Sequence, residues 1–141
     1  MRLSALFSDV RRAGFFAAGL LAAGSLSGFT ADAATNRTEQ GLMRLEPRTR
    51  MIQVCDIRMV QDMRGDKQYP AVDRAVIDAT SRPVFDDDTI RGQGGAFRSK
   101  GRWFQFSFDC TLAPDHLKTL SFSYDIGDEI PEADWEKFGL W

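Results

Sequence analysis

The sequence predicts an α+β domain in which two helices pack on a three-stranded antiparallel meander sheet, extendable to four strands, with a short C-terminal helical turn. Three observations carry this reading. Apolar residues recur at helical spacing between Pro47 and Ser81, whereas between Phe104 and Ile126 they alternate with polar ones at period two. The only two cysteines, Cys55 and Cys110, fall on the apolar stripe of the first region and on the apolar face of the second. Helix packing and disulfide pairing therefore require the same arrangement.

The chain opens with an address. Arg2, Arg11 and Arg12 precede an uncharged stretch from Ala13 to Phe29, and Ala31-Asp32-Ala33 supplies small residues for a peptidase, so residues 1–33 read as a signal peptide cleaved after about Ala33. A retained anchor would need about 20 strongly apolar residues. This stretch is shorter and is diluted by Gly14, Gly19, Gly24, Ser25, Ser27 and Gly28. Residues 34–45 are polar and aperiodic and read as a flexible arm, leaving 46–141 as a single domain.

Pro47 starts the first helix, because the first helical turn has no partner for a backbone N–H in any case. Met51, Ile52, Cys55, Met59 and Met63 share one face, and Gly65-Asp66 stops the run. Such a methionine stripe marks core rather than a soft-metal site. A second helix is expected from Pro70, with Val72, Ala75, Val76 and Ala79 inward, ending at Arg82-Pro83. Beyond it, Gly92, Gly94 and Gly95 weaken the first strand and predict a bulge or bend. Lys100-Gly101 fits a two-residue hairpin turn that sets Phe97 opposite Phe104. Phe104, Phe106, Phe108 and Cys110 then alternate with Gln105, Ser107 and Asp109. After the Ala113-Pro114-Asp115-His116 turn, Leu120, Phe122, Tyr124 and Ile126 alternate with Ser121, Ser123 and Asp125. Pro131 opens a helical turn closed by Gly139.

Composition narrows the function. The 141 residues carry 18 Lys+Arg against 20 Asp+Glu, a formal charge of -2, and removal of residues 1–33 takes away three Arg and two Asp. No net positive field exists to attract nucleic acid, and no membrane span is expected after cleavage. One His and two Cys are too few for a Cys/His zinc site. Export places Cys55 and Cys110 in an oxidising compartment, where a lone pair closes into a disulfide worth about 4 kcal/mol for a loop of this length.

Candidate chemistry is sparse. His116 reads as a surface turn residue without a nucleophile or orienting partner. Asp86-Asp87-Asp88 lacks the alternating acids and terminal Glu of a calcium loop and reads as a solvated turn. Gly92-Gln93-Gly94-Gly95 does not lead from strand into helix and is no phosphate cradle. Asp109 and Asp125 lie on the polar faces of neighbouring strands and could form a carboxylate pair. Arg98, Lys100 and Arg102 make a basic hairpin tip beside Trp103, which the alternation sends to the polar face. An exposed indole among guanidinium groups suits an anionic or sugar-containing polymer.

Leu45 to Met51, Gly94 to Trp103, and Ile130-Pro131-Glu132 through Gly139-Leu140-Trp141 together resemble an uncharacterised family (a domain of unknown function) of small exported proteins from rhizobia and related alphaproteobacteria. The resemblance implies a Gram-negative envelope and hence the periplasm. It brings no activity, ligand or catalytic residue. The expectation is a periplasmic, non-catalytic binding or accessory protein of the cell envelope without a cofactor or metal, contacting a glycan, an anionic polymer or a periplasmic protein. The alternatives are an envelope hydrolase using Asp109 and Asp125, or a structural subunit docking through its Trp141 tail.

Overall fold

The computed structural model describes residues 30–141, so the segment expected to be a signal peptide lies, apart from its last four residues, outside the described part. Over these residues the architecture is α+β: three helices and a five-stranded antiparallel sheet. In chain order these are α1 (Thr30–Met43), α2 (Pro47–Asp62), β1 (Val72–Val76), β2 (Val84–Asp86), β3 (Thr89–Ser99), β4 (Arg102–Leu112), β5 (Thr119–Ile130), a single 3-10 turn (Glu132–Asp134) and α3 (Trp135–Phe138).

The expected arm over 34–45 is largely helical, because α1 runs through Met43. Arg50 explains how its end is held. Its guanidinium donates to the carbonyls of Leu42, Met43 and Leu45, and reaches across to that of Asp115 in the β4–β5 turn. Carbonyls orphaned at a helix end thereby gain a charged donor. Next, α2 starts as expected, with Pro47 in its first turn and the Glu46 carboxylate accepting the Thr49 N–H. Its buried face is Met51, Val54, Cys55, Asp56 and Met59. Ile52, expected in the core stripe, is only half-buried.

The second helix expected from Pro70 is a correction: Val72–Val76 is strand β1, antiparallel to β3 with Ala75 opposite Phe97 and Val76 opposite Ala96. Two physical reasons favour the strand. A 12-residue isolated helix is marginal, whereas the edge of β3 offers unpaired backbone groups that β1 satisfies. Ala71, directly after Pro70, also sits at φ 58°, which breaks a helical start. The expected sheet of three or four strands thus becomes five, ordered β1-β3-β4-β5 with short β2 also pairing β3.

The β3–β4 hairpin has the expected register, Phe97 opposite Phe104. Lys100 and Gly101 both take positive φ, 49° and 76°, the pair that a tight hairpin turn matched to strand twist requires. The ladder is irregular between Gly92 and Gly95, where the bulge was expected. Glycine is required there: a Cβ on Gly95 would lie 2.6 Å from the Phe106 ring.

Two cores result. On the inner sheet face, Phe97, Phe106, Phe108 and Cys110 pack against Met51, Cys55 and Met59 of α2, and the Cys55–Cys110 disulfide joins the layers. On the outer face, a smaller cluster of Ala96, Trp103, Ile130 and Leu140 is closed by Trp135 and Phe138. No helix among the described residues is long and apolar enough to cross a membrane.

Candidate functional site

The outer sheet face is divided. Near the hairpin the C-terminal segment lies over it; farther along, β3, β4 and β5 present an open polar surface.

Trp103 belongs to the covered half. The alternation along β4 does send it to the outer face, but it is fully buried there, which corrects the expectation of an exposed indole. Leu140 and Ile130 pack on it, so the C-terminal segment docks on its own domain through Leu140, while Trp141 stays exposed. Gly139 at φ 64° makes the left-handed cap that turns the chain back, and the Leu140 N–H donates to the Trp135 carbonyl. The indole Nε1–H of Trp103 has no acceptor among the described residues.

The basic tip is largely engaged by the protein itself. Arg98 forks onto Asp73, Nε to Oδ1 at 2.9 Å and Nη2 to Oδ2 at 2.8 Å, and also donates to the Trp141 carbonyl. Arg102 forks in the same way onto Glu129. These bidentate bonds hold the Asp73 and Glu129 carboxyls below their ordinary range and raise both guanidiniums. Lys100 alone points from the tip without a partner among the described residues.

The open half is a trough of about 590 Å³ on β3–β4–β5, walled by Ser81, Arg82 and Val84. A further depression of about 280 Å³ extends it along Gln93, Gln105, Ser107 and Asp125. Strand geometry explains the lining: Gln105, Ser107 and Asp109 are alternate residues of β4, and Ser123 and Asp125 alternate residues of β5. The wall stands because the chain after β1 crosses β3 at Gly94, whose carbonyl accepts the Thr80 N–H at 2.9 Å. Within the trough Asp109 sits 3.4 Å from Arg91. The side chains of Gln93, Gln105, Ser107, Ser123 and Asp125 make no hydrogen bond within the described protein, so their donors and acceptors face solvent.

The sequence profile of a family described as Domain of Unknown Function (DUF930) matches residues 42–140. The chain belongs to this family. The DUF930 match starts at Leu42 and ends at Leu140, both buried, so it coincides with the packed unit from the end of α1 to the outer-face plug. No curated protein and no solved structure matches the chain.

The sequence-derived candidates fall as follows on the DUF930 domain. Asp109 and Asp125 come together on one trough, with Asp109 opposite Ser123 and Asp125 opposite Ser107 in the ladder. Arg98, Lys100 and Arg102 share the hairpin tip, but Trp103 lies beneath the C-terminal segment. His116 occupies the β4–β5 turn at φ 56°, with Nε2 2.8 Å from Asp88 Oδ1, so this acidic turn residue has a protein partner. No cluster of three or more His, Cys, Asp or Glu among the described residues is placed to hold a metal. Sequence reading missed Arg91 and Gln93 as lining residues: Arg91 pairs Asp109 in the ladder, and Gln93 falls within the irregularity between Gly92 and Gly95. It also missed Asp56, a carboxylate buried on α2. Its signal was available: Asp56 interrupts the apolar stripe next to Cys55.

Proposed function

We propose that this is a non-catalytic binding module of the cell envelope, exported to the periplasm, that holds a polyhydroxylated glycan on the open half of its outer sheet face. The observation that carries the reading is the contrast between the two halves: one is plugged by the chain's own C-terminal segment, the other keeps a trough of free amides and hydroxyls with the unpaired carboxylate of Asp125. Sugar hydroxyls both donate and accept, and that mixed lining answers both roles. Two arginines, Arg82 and Arg91, face two acids, Asp109 and Asp125, so the trough favours neither a polyanion nor a polycation. Hydrogen bonds to charged groups are worth about 1.5–3 kcal/mol each. An anionic polymer at the hairpin has less support, since Arg98 and Arg102 already hold carboxylates. Export rests on the character of residues 1–33 and on the disulfide, a bond that persists in oxidising compartments.

The test is an NMR titration of the isotope-labelled chain with the N-acetylglucosamine tetramer. Shifts centred on Gln93, Ser107 and Ser123, weakened at least about tenfold by Asp125→Ala through loss of one such bond, are expected. Shifts confined to residues 98–102 would move the ligand to the hairpin, and no shift at millimolar tetramer would reject the glycan.

A second reading has one observation in its favour: Asp109 and Asp125 share the trough. A hydrolase would release new reducing ends from the same tetramer and lose that release in Asp125→Asn.

A further inference from the structure

Among the described residues, the most buried carboxylate, Asp56, has no cation paired with it. Asp62, Asp73, Asp88, Asp109 and Glu129 each face an Arg or His, and all are substantially exposed. Asp56, 9% exposed on α2, has no such partner. Its Oδ1 accepts the Ile77 N–H at 2.8 Å, whereas Oδ2 has only the Gln53 amide nitrogen at 3.4 Å. A carboxylate has about four acceptor positions, so the protein fills one well and another poorly. Burying an ionised carboxylate without a counter-charge costs several kcal/mol, and the chain must either keep it protonated or take a cation from outside.

There is room for such a cation. Asp56 lines a groove of about 680 Å³ between α2 and β1, a size suited to a small ligand. Ile52, Ile57 and Val60 give it an apolar wall, and Gln53 and Gln61 give it amides. The charged groups around it are Arg64 just beyond α2, Asp73 and Arg74 on β1, and Asp78 in the turn that follows. Asp73 is held by Arg98, and the Arg74 guanidinium lies over the Trp141 ring, 4.6 Å from its centroid. Asp78 therefore remains beside Asp56 as a second acid with no ion pair among the described residues.

We propose that the α2–β1 groove is a binding site for a small organic cation, a primary ammonium or guanidinium on a short apolar stem, whose charged head pairs with Asp56 Oδ2. The stem lies against Ile52 and Val60. Burial, reinforced by Asp78 and opposed by the Ile77 N–H and Arg74, lifts the Asp56 carboxyl to about 7. The cation binds the ionised form, so affinity rises about tenfold between pH 6 and pH 8 as that form replaces the protonated one.

The probe is n-pentylamine, with n-pentanol as its neutral counterpart, added to the full chain and followed by carboxyl and amide NMR. Millimolar pentylamine is expected to shift Gln53, Val60 and Ile77, and to lower the apparent pKa of Asp56. Pentanol is expected to bind at least about tenfold more weakly, since it lacks the charged hydrogen bond. Asp56→Asn, which keeps an acceptor for the Ile77 N–H, should remove both the binding and its pH dependence. Equal binding of alcohol and amine, an Asp56 titration unmoved by saturating amine, or absence of shifts in the groove would each overturn the proposal. These readouts come from the wild-type chain and do not depend on the variant folding.

Discussion

Asp56 and Gly94 are single residues whose surroundings set the direction of a measurable change. The folded protein holds Asp56 at about 7 against an ordinary value of 3.8, chiefly by burial. The native state therefore binds more protons than the unfolded one between those two values, and stability must fall as pH rises across that window. The full penalty, present above pH 7, is about 4 kcal/mol at most. Asp56→Asn is predicted to flatten the profile and to raise stability at pH 8 by about 2–4 kcal/mol, with little change at pH 4. Urea denaturation at the two pH values measures it, and an unaltered slope would contradict the assignment. Gly94 works through contact instead. A Cβ there would lie 2.3 Å from Ser81 Oγ and 2.4 Å from the Ser81 backbone nitrogen, so Gly94→Ala must push the crossing segment off β3 and stretch the Thr80–Gly94 hydrogen bond. A loss of about 1–3 kcal/mol is expected. Gly41 in α1 has nothing within 4 Å of a Cβ, and Gly41→Ala should instead gain about 0.5–1 kcal/mol. Thermal unfolding of the two variants side by side should show opposite signs.

At the level of elements, the C-terminal segment acts as a plug. Leu140→Ala removes the side chain that lies on Trp103, with an expected loss of about 2–5 kcal/mol and a red shift of Trp103 fluorescence as water reaches the indole. An unshifted spectrum would mean that Phe138 and Ile130 seal the ring unaided. This element shows where sequence reading succeeds and where it stops. Pro131 and Gly139 announce the helical turn locally, Lys100-Gly101 announces the hairpin, and the period-two alternation of β4 correctly sends Trp103 outward. Local pattern does not say what will lie above an outward residue, because that depends on a segment nearly 40 positions away. β1 was illegible for a similar reason. Val72, Ala75 and Val76 satisfy helical spacing as well as strand pairing, and only the free edge of β3 decides between them. The trough was half legible: its β4 and β5 lining follows from alternation, but its wall depends on the unexpected route of the chain after β1.

Across the whole molecule, two layers are joined by a covalent bond as well as by packing. Reduction of Cys55–Cys110 should lower stability by about 4 kcal/mol in the chain-entropy description, measurable as a lower denaturation midpoint for the paired Cys55→Ser, Cys110→Ser variant. The bridge also has a topological effect. It encircles residues 55–110, and within that ring the turn after α2 exposes Arg64 and Lys67. A single tryptic cut there releases nothing. The piece bearing α2 stays tethered to the piece bearing β3, β4 and β5, and its methionine face remains seated on the sheet. A nicked molecule would run as one species until a thiol is added and as two afterwards. The bridge thus allows the backbone to be broken once at this turn while the fold stays in one piece.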